Sequence, residues 1–254
     1  MRTALKNHLI EFATALGDDS LILGQRVAEW CGNAPLLEEE LAMANVALDF
    51  LGRAQFLYEY VSELDGGERS PDDIAFLRDS RQYRNLLIME LPNGDFAFSM
   101  ARQLMVDTFN VLYLRQLAES SDRRLAAIAA KAVKESKYHL RRSRGWVVRL
   151  GDGTEESHER MLTAFEELRA YVPELFEMTG DETALLEAGV SVDRTALRND
   201  WHSAMTHTLT EATLGQSAGN RCIRGGRDGV HTEHHGHLLA ELQFMQRTYP
   251  GLQW

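Results

Sequence analysis

Residues 36–64 decide the fold, and they read LLEEELAMANVALDFLGRAQFLYEYVSEL. The stretch contains no proline, and its apolar residues recur at helical spacing along two faces. One stripe comprises Leu37, Leu41, Ala44, Leu48 and Leu51. The other stripe comprises Met43, Ala47, Phe50, Ala54, Leu57 and Val61. The stretch predicts a helix of roughly 40 Å, and its two apolar faces indicate a central helix that several neighbours cover.

Further long helices are predicted on both sides of this stretch. One begins near Asp18 and Asp19, where either carboxylate would cap the first turn, and it runs to Trp30. Two more cover residues 95–119 and 122–150. Shorter helices are predicted at residues 154–171, 193–214 and 232–248, and the five prolines indicate boundaries between helices. The sequence therefore predicts an all-α bundle of long helices with additional peripheral helices.

Composition and charge exclude several classes of protein. The 254 residues are 44% hydrophobic, which is typical of a globular protein rather than a disordered chain. A net charge of -11 disfavours nucleic acid and anionic membranes as partners. No apolar run is long enough to span a bilayer or to form a leader after the first charged residues. Because Cys31 and Cys222 are isolated thiols, we expect a cytoplasmic protein.

A search for metal ligands finds little on the long helices. A di-iron centre in a bundle needs one Glu from each of two helices and a Glu-x-x-His from each of the other two. Only Glu155 and His158 have that spacing, and they lie in the first turn of a predicted helix among other acids. That position favours a solvated helix start, where carboxylates face the helix dipole. The sequence therefore predicts no metal site and no catalytic residues in this chain.

Six polar side chains lie on otherwise apolar helices. They are Asn45, Asp49, Arg53, Asp107, Glu135 and His139. Two interpretations are open. The first is a polar surface stripe on each helix, or a hydrogen-bonded core histidine, and the second is a salt-bridged network that stands where a metal centre would be. In the second case Arg53 must pair with a carboxylate, because a buried charge without a partner is costly.

Four histidines near the C-terminus resemble a metal cluster at first sight. They are His231, His234, His235 and His237, and Glu233 lies among them. The set lies where a loop meets a predicted helix and fits no zinc template. We therefore interpret these residues as surface or interface histidines.

A basic loop precedes these histidines. Residues 215–229 contain five glycines and three arginines, Arg221, Arg224 and Arg227. The loop matches no P-loop or dinucleotide fingerprint. Two hypotheses remain. The first is a contact with a phosphate such as that of coenzyme A. The second, which is favoured, is a loop that docks a partner or is merely mobile.

Several short motifs carry a resemblance to a known family. They are LGDDS at 16–20, EWCGNAP at 29–35, LPNGDFA at 91–97, KESKYHLR at 134–141, LGDGT at 150–154 and HTEH at 231–234. The chain resembles, from near residue 15 to its end, the structural members of the phenylacetyl-CoA epoxidases, which are bacterial multicomponent monooxygenases. The resemblance implies a ferritin-like bundle of antiparallel helices, formed as a single domain over residues 1–254.

The resemblance also implies a function in aerobic phenylacetate catabolism. In that family the subunit that this chain resembles is structural, and a catalytic A subunit holds the di-iron centre and binds the CoA thioester. The complex uses NADPH and dioxygen to epoxidise the aromatic ring of phenylacetyl-CoA. The implied partners are the A subunit in a hetero-oligomer, further copies of this chain, and more peripherally a small B subunit and a reductase. No cofactor is expected in this chain.

The resemblance places the lost iron ligands at six positions. They are Ser20, Phe50, Arg53, Asp107, Ser136 and His139. Only Asp107 and His139 are able to bind a metal, and Arg53 is a permanent cation. The alternative hypothesis is that the chain is itself a di-iron oxygenase or a ferritin-like enzyme with a shifted ligand set. A third is a CoA-thioester binding module that uses the basic loop.

Overall fold

The computed structural model describes residues 2–215 and 221–251, and in these residues every regular element is a helix. The long helices are α1 (Arg2–Ala28), α2 (Leu37–Asp65), α5 (Phe96–Leu117) and α6 (Arg123–Gly151). The shorter ones are α3 (Pro71–Phe76), α4 (Leu87–Glu90), α7 (Glu155–Leu168), α8 (Gly180–Glu187), α9 (Arg198–Glu211), α10 (Glu233–Leu242) and α11 (Phe244–Thr248). Short 3-10 helices span Ser80–Gln82, Arg169–Phe176, Thr195–Leu197 and Gly226–Asp228. The all-α, ferritin-like class is confirmed.

The chain divides into two compact units. Unit 1 contains residues 1–92 and 224–254, and unit 2 contains residues 93–223. The single domain over residues 1–254 stays a prediction.

In unit 1, α1 and α2 pack along one another, and the short connection over residues 29–36 makes the pair antiparallel. The two helices approach closely at Gly17, where an added Cβ would collide with the ring of Tyr58. A glycine in the middle of a helix costs stability relative to alanine, and here it gives the aromatic ring of α2 its place against the backbone of α1.

Among the residues that the structure describes, the second apolar stripe of α2 is covered, and the first is covered only in part. Its second stripe is buried, from Met43 at 0% exposed to Val61 at 0%. On the first stripe, however, Leu37, Leu41 and Leu48 are 68%, 59% and 64% exposed. The prediction of a helix covered on both faces is therefore wrong for these three residues, because spacing shows that a face is apolar and not what covers it. We call Leu37, Leu41 and Leu48 the leucine face.

In unit 2, α5 is the helix that is buried nearly all round. It packs against α6, α7 and α9, and its buried residues include polar ones, among them Arg102 and Asp107. Helix α6 is amphipathic, and one face of it is buried. That face consists of Leu125, Ala129, Ala132, Ser136, His139, Ser143, Val147 and Gly151. Small and polar residues thus dominate the surface that α6 turns inward.

Asp18 and Asp19 do not begin a helix, and the prediction that they cap one is wrong. They lie within α1, which starts at Arg2. Asp18 is fully buried and accepts hydrogen bonds from Tyr58 Oη at 2.6 Å and from the backbone N of Arg84 at 2.8 Å. The Arg78 guanidinium forms an ion pair with the same carboxylate. A helix-capping residue and a buried partner for arginine are both aspartates, so sequence alone does not separate them.

The charge of Asp18 shifts the pKa values of its neighbours Arg78 and Tyr58. Burial would lower the pKa of the Arg78 guanidinium, but the Asp18 carboxylate raises it above its ordinary value. Burial also raises the pKa of the Tyr58 hydroxyl well above its ordinary value, and the charge of Asp18 adds to the effect. Arg78 therefore stays charged and Tyr58 stays neutral while Asp18 holds both as donors.

Asp18→Asn should strand the buried Arg78 without its counter-charge. Breaking one partner of a buried ion pair costs about 3–5 kcal/mol of unfolding free energy, which urea denaturation measures. The matched control is Glu156→Gln, since Glu156 pairs with Arg160 at 2.6 Å but both side chains are more than half exposed. An exposed pair contributes about 0–1 kcal/mol. Equal losses in the two variants would contradict the account.

Candidate functional site

The six positions that the resemblance assigns to lost iron ligands are all buried. They are Ser20, Phe50, Arg53, Asp107, Ser136 and His139, and none is more than 8% exposed. Metal ligands in a helical bundle must face inward, and these six side chains are buried as such a set would be. The first three lie in unit 1, and the last three lie in unit 2.

In unit 1 these positions hold side chains unsuited to iron. The Ser20 hydroxyl donates to the backbone oxygen of Leu16 at 3.0 Å, one turn earlier on α1. Phe50 and Arg53 lie on α2, and the Arg53 guanidinium carbon stands 4.7 Å from the centroid of the Phe50 ring. A cation over an aromatic face is a stable arrangement without a metal. An arginine at this position also repels a metal cation.

In unit 2 the corresponding positions include two groups able to bind metal. Asp107 is 1% exposed, and its Oδ2 accepts a hydrogen bond from Ser143 Oγ at 2.8 Å. His139 is 2% exposed on the inward face of α6, one turn before Ser143. Serine hydroxyls at positions 136 and 143 fill the same face. The carboxylate is thus bound by a hydroxyl from the neighbouring helix.

The remaining members of the predicted polar cluster lie nearer the surface. Asn45 is exposed, and its amide donates to the backbone oxygen of Leu41 at 2.9 Å. Asp49 is half-buried, and Glu135 is half-buried with its carboxylate 3.7 Å from Lys131 Nζ. Asn45 is thus at the surface, whereas Arg53, Asp107 and His139 are buried. The salt-bridged network stays a prediction. The pairing of Arg53 with one of the carboxylates stays a prediction.

One group of metal-binding side chains exists among the described residues, and it includes none of the six positions. Glu90, His231 and His235 bring one ligand atom each to within 4.8 Å of one another. All three belong to unit 1. The separate Glu155 and His158 pair forms no such group within the part of the chain that the structure covers, and His158 Nδ1 instead lies 2.6 Å from the backbone oxygen of Gly151.

Glu90 is the centre of this group, which we call the Glu90 cluster. The side chain is fully buried at the end of α4. Its Oε2 accepts from Asn85 Nδ2 at 2.8 Å and from His231 Nδ1 at 2.7 Å. Its Oε1 accepts from the backbone N of Thr232 at 2.5 Å. Burial would raise the pKa of Glu90, but the hydrogen bonds from His231, Asn85 and Thr232 hold it below its ordinary value.

The two histidines of the cluster stack on each other. The His231 and His235 ring centroids lie 3.9 Å apart with an angle of 12° between the planes. His231 Nε2 lies 3.1 Å from the backbone oxygen of Tyr83, and His235 Nδ1 lies 2.7 Å from Ser80 Oγ. Burial lowers the pKa of His235 to about 4, and the neighbouring His231 lowers it as well. At neutral pH the His235 ring is therefore uncharged.

The surface interpretation of the C-terminal histidines is wrong for two of them. His235 is fully buried, and the His231 side chain is 3% exposed. Their acidic partner is 141 residues away from His231 in the chain, so no local spacing reveals it. His237 is exposed, as the interpretation predicts, and His234 is half-buried.

The basic loop separates into residues with different surroundings. Arg227 is fixed, because its guanidinium pairs with Asp19 at 2.6 Å and also donates to the backbone oxygen of Arg84. Gly226 and Gly229 of the loop lie close against residues 81–86, and a Cβ at Gly226 would collide with the backbone oxygen of Asn85. Arg221 and Arg224 are exposed, and residues 216–220 of the loop lie outside the described residues. A phosphate or partner contact by this loop stays a prediction.

Unit 2 contains an apolar cavity of about 350 Å³. Its walls include Phe165, Phe176 and Trp201. Basic side chains also line it, namely Arg169, Arg198, His202 and Arg221. The apolar walls suit an apolar ligand, and the basic side chains offer several hydrogen-bond donors to an anionic group.

None of the helices that the structure describes combines the length and apolar character needed to cross a membrane.

Comparisons with known proteins agree with the resemblance. Residues 1–254 match the model of the phenylacetic acid catabolic protein family. The chain is also 47% identical over 248 residues to a protein of Escherichia coli strain K12 whose name describes it as the C subunit of 1,2-phenylacetyl-CoA epoxidase, and the match covers 98% of this chain and 100% of that protein. On both findings, the chain belongs to the phenylacetic acid catabolic protein family.

Proposed function

We propose that this chain is a structural, non-catalytic member of a phenylacetyl-CoA epoxidase complex, which binds and stabilises the di-iron catalytic subunit. The name of the Escherichia coli relative, together with 47% identity, supports membership of such a complex. The structural role rests on which side chains occupy the six buried positions. Four of them hold serine, phenylalanine or arginine, and Asp107, one of the other two, is bound by Ser143. Two potential ligands are too few for two irons.

The leucine face supports the binding part of the proposal. Three leucines at least 59% exposed form one stripe on a helix whose opposite face is buried. An exposed apolar stripe of this kind is typical of a surface that a partner covers. The first turn of the same helix carries Glu38, Glu39 and Glu40, so the fitting partner presents an apolar surface with basic residues beside it. We assign this partner as the catalytic subunit.

The purified chain alone should contain no pair of irons and should show no oxygenase activity with phenylacetyl-CoA, NADPH, dioxygen and the reductase. The reason is that only two of the six buried positions, Asp107 and His139, hold side chains able to bind metal, and two irons need six such ligands. Elemental analysis and a product assay measure both quantities. Two irons per chain with product formation would favour the alternative of a di-iron enzyme with a shifted ligand set.

Leu41→Glu should weaken binding to the catalytic subunit. Burial of one leucine contributes about 1.5–3 kcal/mol, so the loss corresponds to at least about a 10-fold rise in Kd, measured by calorimetry with the purified proteins. Because Leu41 is exposed in the single chain, the Tm of the free variant should stay unchanged.

Leu186→Glu is the matched control, since Leu186 is 37% exposed on α8 and is not part of the leucine face. An unchanged Kd for Leu41→Glu, or an equal loss in both variants, would contradict the assignment of this surface.

The apolar cavity of unit 2 favours a second candidate function, the binding of a CoA thioester by this chain. Arg221 of the basic loop lines the cavity, which places a cation of the loop beside apolar walls. Titration of phenylacetyl-CoA into the purified chain should then give saturable heat, and Arg221→Ala should weaken binding by roughly 10-fold, the loss of one charge-assisted contact. Absence of heat at millimolar phenylacetyl-CoA would contradict this second function.

A further inference from the structure

In each histidine of the Glu90 cluster, one ring nitrogen bonds to a neighbouring residue, and the other remains for a metal. His231 Nε2 contacts the backbone oxygen of Tyr83 at 3.1 Å, which leaves Nδ1 facing Glu90. His235 Nδ1 contacts Ser80 Oγ at 2.7 Å, which leaves Nε2. Metal-binding histidines in proteins are oriented in this way, with the second ring nitrogen bonded to a carbonyl, a carboxylate or a water. His231 has this arrangement, and the Ser80 hydroxyl takes the place of such a partner for His235.

The carboxylate of the cluster is oriented as well. The Asn85 amide and the Thr232 backbone N donate to its two oxygens at 2.8 Å and 2.5 Å. Arg26, a nearby cation, donates to the backbone oxygen of Glu90 at 2.9 Å. These contacts fix the carboxylate with its Oε2 beside His231.

An atom without a partner gives an independent indication. His235 is 0% exposed, and its Nε2 has no hydrogen-bond partner among the described residues. Buried polar atoms are nearly always satisfied, so an orphan nitrogen beside a carboxylate and a second imidazole calls for a ligand. The ligand atoms of the three residues lie within 4.8 Å of one another, and a tetrahedral zinc ion would draw them to about 3.4 Å.

We propose that Glu90, His231 and His235 bind one divalent transition-metal ion, and that this ion is zinc. Two imidazoles and one carboxylate without thiolate are a ligand set that zinc accepts, with water in the fourth position. Zinc holds such ligands at about 2.0–2.2 Å. The Nδ1 of His231 and Oε2 of Glu90 are 2.7 Å apart, so the ion takes the place of the proton between them after a small outward shift of both side chains.

Zinc binding changes the charge and the geometry of the cluster. Without metal, His231 Nδ1 donates to the Glu90 carboxylate, and its Nε2 lies against the backbone oxygen of Tyr83. Zinc displaces the Nδ1 proton to solvent and supplies positive charge to the buried carboxylate itself. The stacked rings must turn apart, because the lone pairs lie in the ring planes and converge on the ion.

The site would fasten the C-terminal part of unit 1. It joins residue 90, at the end of α4, to residues 231 and 235, at the start of α10. This metal is distinct from the iron of the proposed function, because it uses none of the six buried positions. The inference goes beyond the proposed function and does not depend on it.

The test uses the full chain after dialysis against a chelator. Zinc chloride alone should bind with one ion per chain in calorimetry, and about 100-fold excess over Kd should raise the Tm by roughly 5 °C. X-ray absorption at the zinc edge should count two imidazoles and no sulfur. Fewer than two imidazoles, or no stoichiometric binding at micromolar zinc, would overturn the proposal.

Two variants locate the site. His235→Asn keeps a polar atom near the position of Nδ1 for Ser80 and removes Nε2, so the affinity for zinc should fall about 100-fold or more. His237→Asn is the control, because His237 is exposed on the same helix. Loss of binding in His237→Asn with retention in His235→Asn would show a surface site and overturn the proposal. If His235→Asn fails to fold by circular dichroism, His231→Gln replaces it, since it retains a donor towards Tyr83 and removes Nδ1.

Discussion

The carboxylates of Asp18, which is buried, and Asp19, which is half-buried, are the constraint on which unit 1 depends. Asp18 binds Arg78 and the backbone of Arg84, and Asp19 binds Arg227 and the backbone N of Leu86. Two adjacent residues of one helix therefore hold segments that are about 60 and 208 residues away in the chain. Because residues 78–86 contain few regular hydrogen bonds, these side chains supply the donors and acceptors that a helix would otherwise supply.

The same constraint positions the Glu90 cluster. Ser80, Tyr83 and Asn85 lie in the segment that Asp18 and Asp19 fix, and each contacts a member of the cluster. Arg227 brings the chain to His231 four residues later. The Glu90 cluster thus lies away from the six positions that the resemblance assigns to iron ligands. Those positions include an arginine over a phenylalanine in unit 1 and an aspartate bonded to a serine in unit 2.

The sequence predicts the long helices well and the long-range pairs poorly. Helices α2, α5 and α6 begin and end within two residues of their predicted bounds, because their apolar periodicity is local information. The predicted start of α1 is wrong because Asp18 and Asp19 resemble caps, and their arginine partners are distant in sequence. The motifs that carry the resemblance place six positions in the interior, where the structure has them. The Glu90 cluster has no local signal, since its glutamate and histidines come together only in the fold.

Periodicity alone does not reveal that the leucine face is exposed in the single chain. An apolar stripe has the same spacing whether a helix of the same chain or another protein covers it. Exposure in the single chain separates the two cases, and the proposed support of an iron-holding catalytic partner rests on it.

The most direct measurement titrates this chain into a fixed amount of the iron-loaded catalytic subunit with the other components present. The account predicts that epoxide formation rises with added chain and saturates at a fixed ratio of the two proteins, while the iron stays with the catalytic subunit. Full activity of the catalytic subunit without this chain would contradict it.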